Sequence, residues 1–501
     1  MSAIGGIYNF DGAPIDGELL ISLGNELGTR NPDGGRNLSF NSIGMTHRAF
    51  HTTRDSQNEL QPHVSRRRQL LAWDGRLDNR SDLIRALGDE LIECQTDVPV
   101  VMAAYLKWGD EFLSRIVGDF AFSFWDPQSR RLLLARDPIG PRTLYYYRNK
   151  QTLIWSTALR PLISLIDAHS GINEEYIADY LSRLPDPSDT PYRNVHAVPP
   201  GCVVIAGEGN LKIHRFWKPI VEPRIRYRTD GQYEEHFRQL FDEAVRCRLN
   251  VEGAICAELS GGLDSSAVVC MADHLIKRYD SRVSKLETIS LVFDEASRAD
   301  EREFITAVEE QIGKSGRHIR EDDYRILEPV AIEQTPIIPN PIANFARYQN
   351  ALNQTMREAG ARVLLSGKGG DEILTSMRDP SPELCDLMVR GRLNTLHQRL
   401  AVWSETLNKN YSALFWTKAV LPLLPRNAQL FFGGGTKSQI VQVIDRNFAT
   451  RMNLAERLLG RGYPLRIFDR SVQIARLTGS NRAYIEKEIP HLEKLMAADP
   501  Q

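Results

Sequence analysis

No apolar run in this chain approaches the roughly 20 residues needed to cross a bilayer. The opening MSAIGGIYNFDGAP has neither the basic start nor the apolar core of a secretion signal. A cytoplasmic protein with no membrane partner is expected. Neither sign of charge dominates: 62 Lys and Arg against 64 Asp and Glu leave a net charge of −2. That balance argues against a chain built to grip phosphate backbones, so no nucleic acid is expected as a partner. Cysteine is sparse. Cys94, Cys202, Cys247, Cys256, Cys270 and Cys385 are scattered without a CxxC pair. They read as reduced thiols, not as a disulfide frame or a zinc site. There is no internal repeat and no low-complexity tract.

What remains is an ordinary globular composition, 42% hydrophobic and 25% charged over 501 residues, long enough for two to four domains. The first half holds short β-rich runs, GGIYNF, QLLAWDGRL, GDFAFSFWD, RRLLLARD and TLYYYR, broken by Gly, Asp and Pro. They predict an antiparallel sheet structure, with helices near 15–27 and 98–108 and a hairpin-like segment within 194–217. A polar, period-free stretch at 218–232 predicts a linker, giving domains 1–217 and 233–501. Beyond it, strands at 253–259, 286–293 and 361–367 alternate with helices at 265–278 and 300–312. That alternation predicts a parallel, doubly wound sheet, hence an α/β fold class. From about 380 the pattern is helical to the end, with breaks at AVLPLLP and FFGGGTKS.

The stretch SGGLDSS, 260–266, lies between a buried strand and a helix. Ligands of open parallel sheets sit beyond such strand ends. Gly261 and Gly262 let backbone N–H groups approach a bulky anion. Ser260, Ser265 and Ser266 add hydroxyls, and the helix start adds partial positive charge. Together they describe a phosphate or pyrophosphate cradle. Asp264 would repel that anion unless a cation lay between them, which implies Mg²⁺. As single residues, Asp or Ser here could simply cap the helix; the whole heptapeptide favours the cradle. It is not a Walker A loop, because no lysine precedes the helix. A second cluster, SGKGGDE at 366–372, follows another apolar strand. It offers Gly367, Gly369 and Gly370 for backbone access, and a second carboxylate, Asp371.

These two loops resemble the pyrophosphate-binding loops of the asparagine synthetase family. The first half resembles that family's glutaminase domain through GGIYNFDG, RNPDGG, HRAF, WDGRLDN, GDFAFSFWD and ARDPIGPRTLYY. The resemblance implies an Ntn-hydrolase-like antiparallel sandwich, then an adenine-nucleotide alpha hydrolase type of sheet with a helical C-terminal part. It also implies ATP and Mg²⁺ as cofactors and adenylation of a side-chain carboxylate. Carried over residue by residue, Ser260, Gly261, Gly262, Asp264 and Ser265 would hold pyrophosphate, and Asp264 and Asp371 would bind Mg²⁺. Leu259, Val292, Ser366 and Gly367 would frame the nucleotide. Lys368 and Glu372 are the expected catalytic residues.

The departures narrow the function. Where the family's glutaminases have a cysteine nucleophile, this chain has Ser2. Their Asn-Gly-Glu is here Asp74-Gly75-Arg76, while Arg48 and Asp97 remain. An inactive glutaminase site is expected, with the domain kept as a scaffold. Branches without the cysteine, the β-lactam synthetases and lasso-peptide cyclases, take the amine from the substrate itself, where its effective concentration is high. GKGGD resembles the second loop of the lasso cyclases, as does HTTRDSQNELQP at 51–62. The expected reaction is macrolactam formation in a peptide, with a leader peptidase and a precursor-recognition protein as the partners it implies. Asparagine synthesis, a β-lactam synthetase-like cyclase and a non-catalytic nucleotide-binding scaffold are the alternatives. A late catalytic lysine has only the weak echo YPLRIFDRS at 463–471, with Lys437, Lys487 and Lys494 as candidates.

Overall fold

The computed structural model describes residues 1–424, apart from 29–32, 89–95, 167–170, 182–185, 208, 220–224, 280–282, 295–299, 321, 323–337, 339–344 and 374–378; beyond 424 it describes 441–443 and 465–467. The chain forms two compact units. One comprises Met1–Ile177 with Pro185–Lys368, the other Ala178–Leu184 with Gly369–Gln501.

Two six-stranded antiparallel sheets fill the start of the first unit. In spatial order the first runs Val195–Ala197, Tyr145–Arg148, Thr152–Ser156, Ala3–Asn9, Ile43–Arg48 and Gly35–Phe40. The second runs Asn210–Arg215, Cys202–Gly207, Arg131–Arg136, Phe120–Asp126, Leu70–Gly75 and His63–Val64. Period-2 alternation sorts their side chains. Leu70 and Ala72 join Ile4, Met45 and Trp155 between the sheets. Leu71 and Trp73 instead pack with Leu83, Val98 and Val101 of two covering helices, Arg80–Leu87 and Asp97–Trp108. Ala3 and Ile7 meet Leu20, Leu23 and Leu162 of the helices Gly17–Gly28 and Leu159–Leu165 on the other outer face. The result is the expected antiparallel sandwich, with helices on both outer faces. The glycine pair near its start has a steric reason: a Cβ on Gly6 would lie 2.2 Å from the Trp155 ring and 2.4 Å from the Gly44 carbonyl.

A four-stranded parallel sheet follows, ordered Arg317–Arg320, Val283–Val292, Gly253–Glu258, Ala361–Leu365. The helices Leu263–Arg278 and Arg302–Ile312 cover one face through Val269, Leu275 and Ile305. Helix Phe345–Glu358 covers the other, with Leu352 packed against Cys256 and Ile289. The fold is therefore doubly wound, as expected. The chain lays its second and third strands on one side of Gly253–Glu258 and its fourth on the other. Strand order reverses there, which opens a crevice at the carboxyl ends of Gly253–Glu258 and Ala361–Leu365.

Three expectations need correction. The stretch expected as linker gives up its last residues to the Asp230–Arg248 helix, because Thr229 and Gln232 form a capping box. The second unit packs helices Ser381–Val389 and Leu393–Thr406 around Leu384, Leu396, Leu400 and Trp403, but the chain is not helical to its end. Val441–Val443 and Leu465–Ile467 pair as short parallel strands, so part of the late YPLRIFDRS echo is strand. At AVLPLLP helical turns continue through Leu423, with Pro422 in the first positions of a 3-10 turn, where its missing N–H is harmless. FFGGGTKS and Lys437, Lys487 and Lys494 lie outside the described residues. Among the described residues, no helix is long and apolar enough to cross a membrane.

Within the first unit the sandwich and the parallel sheet are tied by charge. Arg362 grips both Asp33 oxygens and donates to the His51 carbonyl at 2.8 Å. The Arg362 guanidinium holds the Asp33 carboxyl below its ordinary range. Arg248 pairs with Asp78 at 2.8 Å and Asp119 at 3.1 Å. Arg362→Ala is expected to cost about 1–2 kcal/mol in urea unfolding, less than a fully buried charged pair because the arginine is partly exposed. Asp33 ionises more readily when folded, so its contribution is present above its unfolded pKa. It fades as pH falls through the lowered folded value, and the gap between variant and wild type should close at acid pH.

Candidate functional site

The crevice is built from three neighbouring strand tips. After Glu258, the Leu259 N–H donates to the Ile289 carbonyl at 2.9 Å, and Leu259 is fully buried. Gly261 then takes φ +85°, a left-handed conformation that favours glycine. Without a side chain it sits against Glu301 and Phe304. Gly262 starts the Leu263–Arg278 helix with no side-chain cap, so first-turn N–H groups face outward, as an anion site requires. Ser265 is buried and braces the loop. It accepts the Ser260 N–H at 3.2 Å, lies 3.0 Å from Ser260 Oγ and donates to the Gly262 carbonyl. Asp264 is half-buried in the first helical turn, with no side-chain hydrogen bond or ion pair among the described residues.

The tip of Ala361–Leu365 meets this loop directly. A Cβ on Gly367 would fall 2.7 Å from the Ser265 nitrogen. Ser366 Oγ accepts the Lys368 N–H at 3.2 Å. Lys368 Nζ lies 3.9 Å from Glu258 Oε1. Val292 ends the adjacent strand, buried. The structure thus gathers Leu259, Ser260, Gly261, Gly262, Asp264, Ser265, Val292, Ser366, Gly367 and Lys368. Gly370–Ile373 is helical, while the side chains of Asp371 and Glu372 lie outside the described residues. Sequence reasoning passed over Glu258 and its partner Tyr348. The only signal was a carboxylate ending the apolar run ICAE.

The sandwich carries a second cavity, of about 70 Å³, lined in part by Ser2, His47, Glu59, Gly75, Arg76 and Asp97. Ser2 Oγ accepts the Phe50 N–H at 3.0 Å. The Ser2 N–H donates to Asp74, which is buried and pairs with Arg142 at 2.9 Å. Burial pushes the Asp74 pKa up while Arg142 opposes the rise. Acyl transfer at Ser2 would build an oxyanion beside this carboxyl group, where its charged form opposes the reaction. Arg76 donates to Asp78 of the sandwich at 3.2 Å and to the Cys247 carbonyl of the helix Asp230–Arg248. Arg48 is bound to Asn37 and Thr46. Asp97 accepts the Leu77 N–H at 2.9 Å and Arg80 at 3.3 Å. Burial lowers the His47 pKa to about 4 and raises that of Glu59 to about 6. Ser2→Cys alone is expected to leave glutamate release from glutamine at background in a coupled assay. Clear release by that single variant would contradict the role given to Asp74.

An Ntn-hydrolase-like sandwich joined to a doubly wound sheet, with an anion cradle at its switch point, is a two-part architecture. A glutamine amidotransferase domain model matches residues 1–217, and an asparagine synthase model matches 236–422. The chain belongs to the asparagine synthetase family. It is 27% identical to amidase chry2 of Gibberella zeae over 55% of this chain and 42% of that protein. It is 26% identical to asparagine synthetase [glutamine-hydrolyzing] 3 of Bacillus subtilis, over 40% of this chain and 33% of that one. Against putative asparagine synthetase [glutamine-hydrolyzing] 2 of Methanocaldococcus jannaschii the identity is 25%, over 61% and 58%. The chain spans about half the length of the curated relatives it matches.

Proposed function

We propose that this protein is an ATP-dependent amide-bond-forming ligase, and that it closes a macrolactam in a peptide as lasso-peptide cyclases do. The observation that carries the ligase reading is the cradle: uncapped helix N–H groups, Ser260, and Asp264 without a side-chain partner among the described residues, all at the switch point. A carboxylate oxygen attacks the α-phosphorus of ATP, and the bond to pyrophosphate breaks. An amine then attacks the acyl carbon, the bond to AMP breaks, and the amine loses its proton to solvent. The cradle N–H groups and Ser260 hold the departing pyrophosphate. Ser265 keeps the loop shaped, and Leu259 and Val292 provide an apolar wall. The half-buried Asp264 fits a magnesium site, and Mg²⁺ bound there supplies neutralisation of phosphate charge.

Ser2, Asp74 and the engaged Arg76 support an amine that comes from the substrate, because they depart from the residue set with which the family's glutaminases release ammonia. The GKGGD loop supports the peptide reading, which implies a leader peptidase and a precursor-recognition protein as partners. The names of the bacterial and archaeal relatives favour a second reading, asparagine synthesis. The two separate in one experiment. With Mg·ATP and a synthetic peptide bearing an acidic residue among its first ten or so, mass spectrometry should show loss of one water, with AMP and pyrophosphate formed. Asparagine from free aspartate, with the peptide untouched, would overturn the peptide reading.

A further inference from the structure

Glu258 has no part in the reaction so far. Its strand is otherwise apolar at this end: Ile255, Cys256 and Ala257 are fully buried. Strand parity places Glu258 with Cys256 and Ala254, on the face covered by helix Phe345–Glu358 and away from the phosphate cradle. There Glu258 Oε1 accepts the Tyr348 hydroxyl at 3.2 Å and lies 3.9 Å from Lys368 Nζ. The Glu258 side chain is 16% exposed and that of Lys368 72%. A fixed carboxylate therefore reaches toward an ammonium group at the mouth of the crevice. An ion pair so exposed on one side adds little to stability, while setting a carboxylate at the end of an apolar strand carries a desolvation cost. Fold stability alone does not account for the arrangement.

We infer that Glu258 is a positioning residue, anchored by Tyr348, that holds the Lys368 ammonium over the crevice between the two strand tips. A lysine side chain samples many rotamers when free. Tethered here, its charge stands where negative charge gathers as the carboxylate meets the α-phosphate. The inference rests on the ligase reading and adds to it the residue that orients Lys368.

Glu258→Gln keeps the shape and the acceptor for Tyr348 but removes the charge. In ATP–pyrophosphate exchange, with the acidic peptide and free aspartate as separate probes, it should lower kcat roughly tenfold and leave KM for ATP unchanged. Lys368→Met should lower kcat at least as much. In the Lys368→Met background the Glu258→Gln effect should vanish, a coupling that a purely structural role would not produce. Thermal midpoints should stay at the wild-type value. Exchange in the wild type that Glu258→Gln leaves unchanged, or effects that add in full in the double variant, would overturn this inference alone. Absence of exchange from the wild type with both probes would overturn the ligase reading and the inference together.

Discussion

Asp264→Asn is expected to lower ATP–pyrophosphate exchange by about two to three orders of magnitude, the range seen when one charge-stabilising group is removed from a reacting centre. Folding should barely change. Asp264 has no side-chain partner among the described residues, so the substitution forfeits only its interaction with the helix start, about 0.3–1 kcal/mol. A large loss of turnover beside a small loss of stability marks a carboxylate kept for a ligand. Equal exchange by variant and wild type, measured at saturating ATP and Mg²⁺, would remove Asp264 from the site.

Gly367→Ala should fail for a different reason. Its Cβ would stand 2.7 Å from the Ser265 nitrogen and 3.0 Å from the Asp264 carbonyl carbon. Both are backbone atoms of the cradle helix and cannot rotate away. The two tips must separate, at a cost of about 1–3 kcal/mol for overpacking. A shift of about 1 Å in a reacting site lowers turnover about a hundredfold. Gly262→Ala is the control: among the described residues its Cβ would meet only Ser260 Oγ, at 3.5 Å. It should unfold with the wild type in urea, yet raise KM for ATP, because it crowds the space an anion needs. If Gly367→Ala kept full exchange, the contact between the tips would have no bearing on the chemistry.

The cradle was legible because its chemistry is local. A Gly-Gly turn, an Asp and the serines sit within seven residues of a strand end, and the helix start follows from the same residues. The parallel sheet was legible from its alternating elements and the antiparallel pairing from its short β runs, while the sandwich came only through the family resemblance. What escaped needs the fold. Glu258 meets Tyr348 across 90 residues only because helix Phe345–Glu358 covers one face of the sheet. Arg362 reaches Asp33 across 329 residues. Ser2 and Asp74 converge because Ala3–Asn9 of one sheet packs against Leu70–Gly75 of the other. The start of the Asp230–Arg248 helix was hidden for a local reason: TDGQ reads as a polar linker, although Thr229 and Gln232 make it a capping box.

The central claim is that the crevice makes a carboxyl group reactive by joining it to the α-phosphate of ATP. Labelled pyrophosphate tests this in the unaltered protein. The account predicts that label enters ATP only when Mg²⁺ and a carboxylate-bearing substrate are both present. Formation of ADP and orthophosphate, with no label entering ATP, would contradict it.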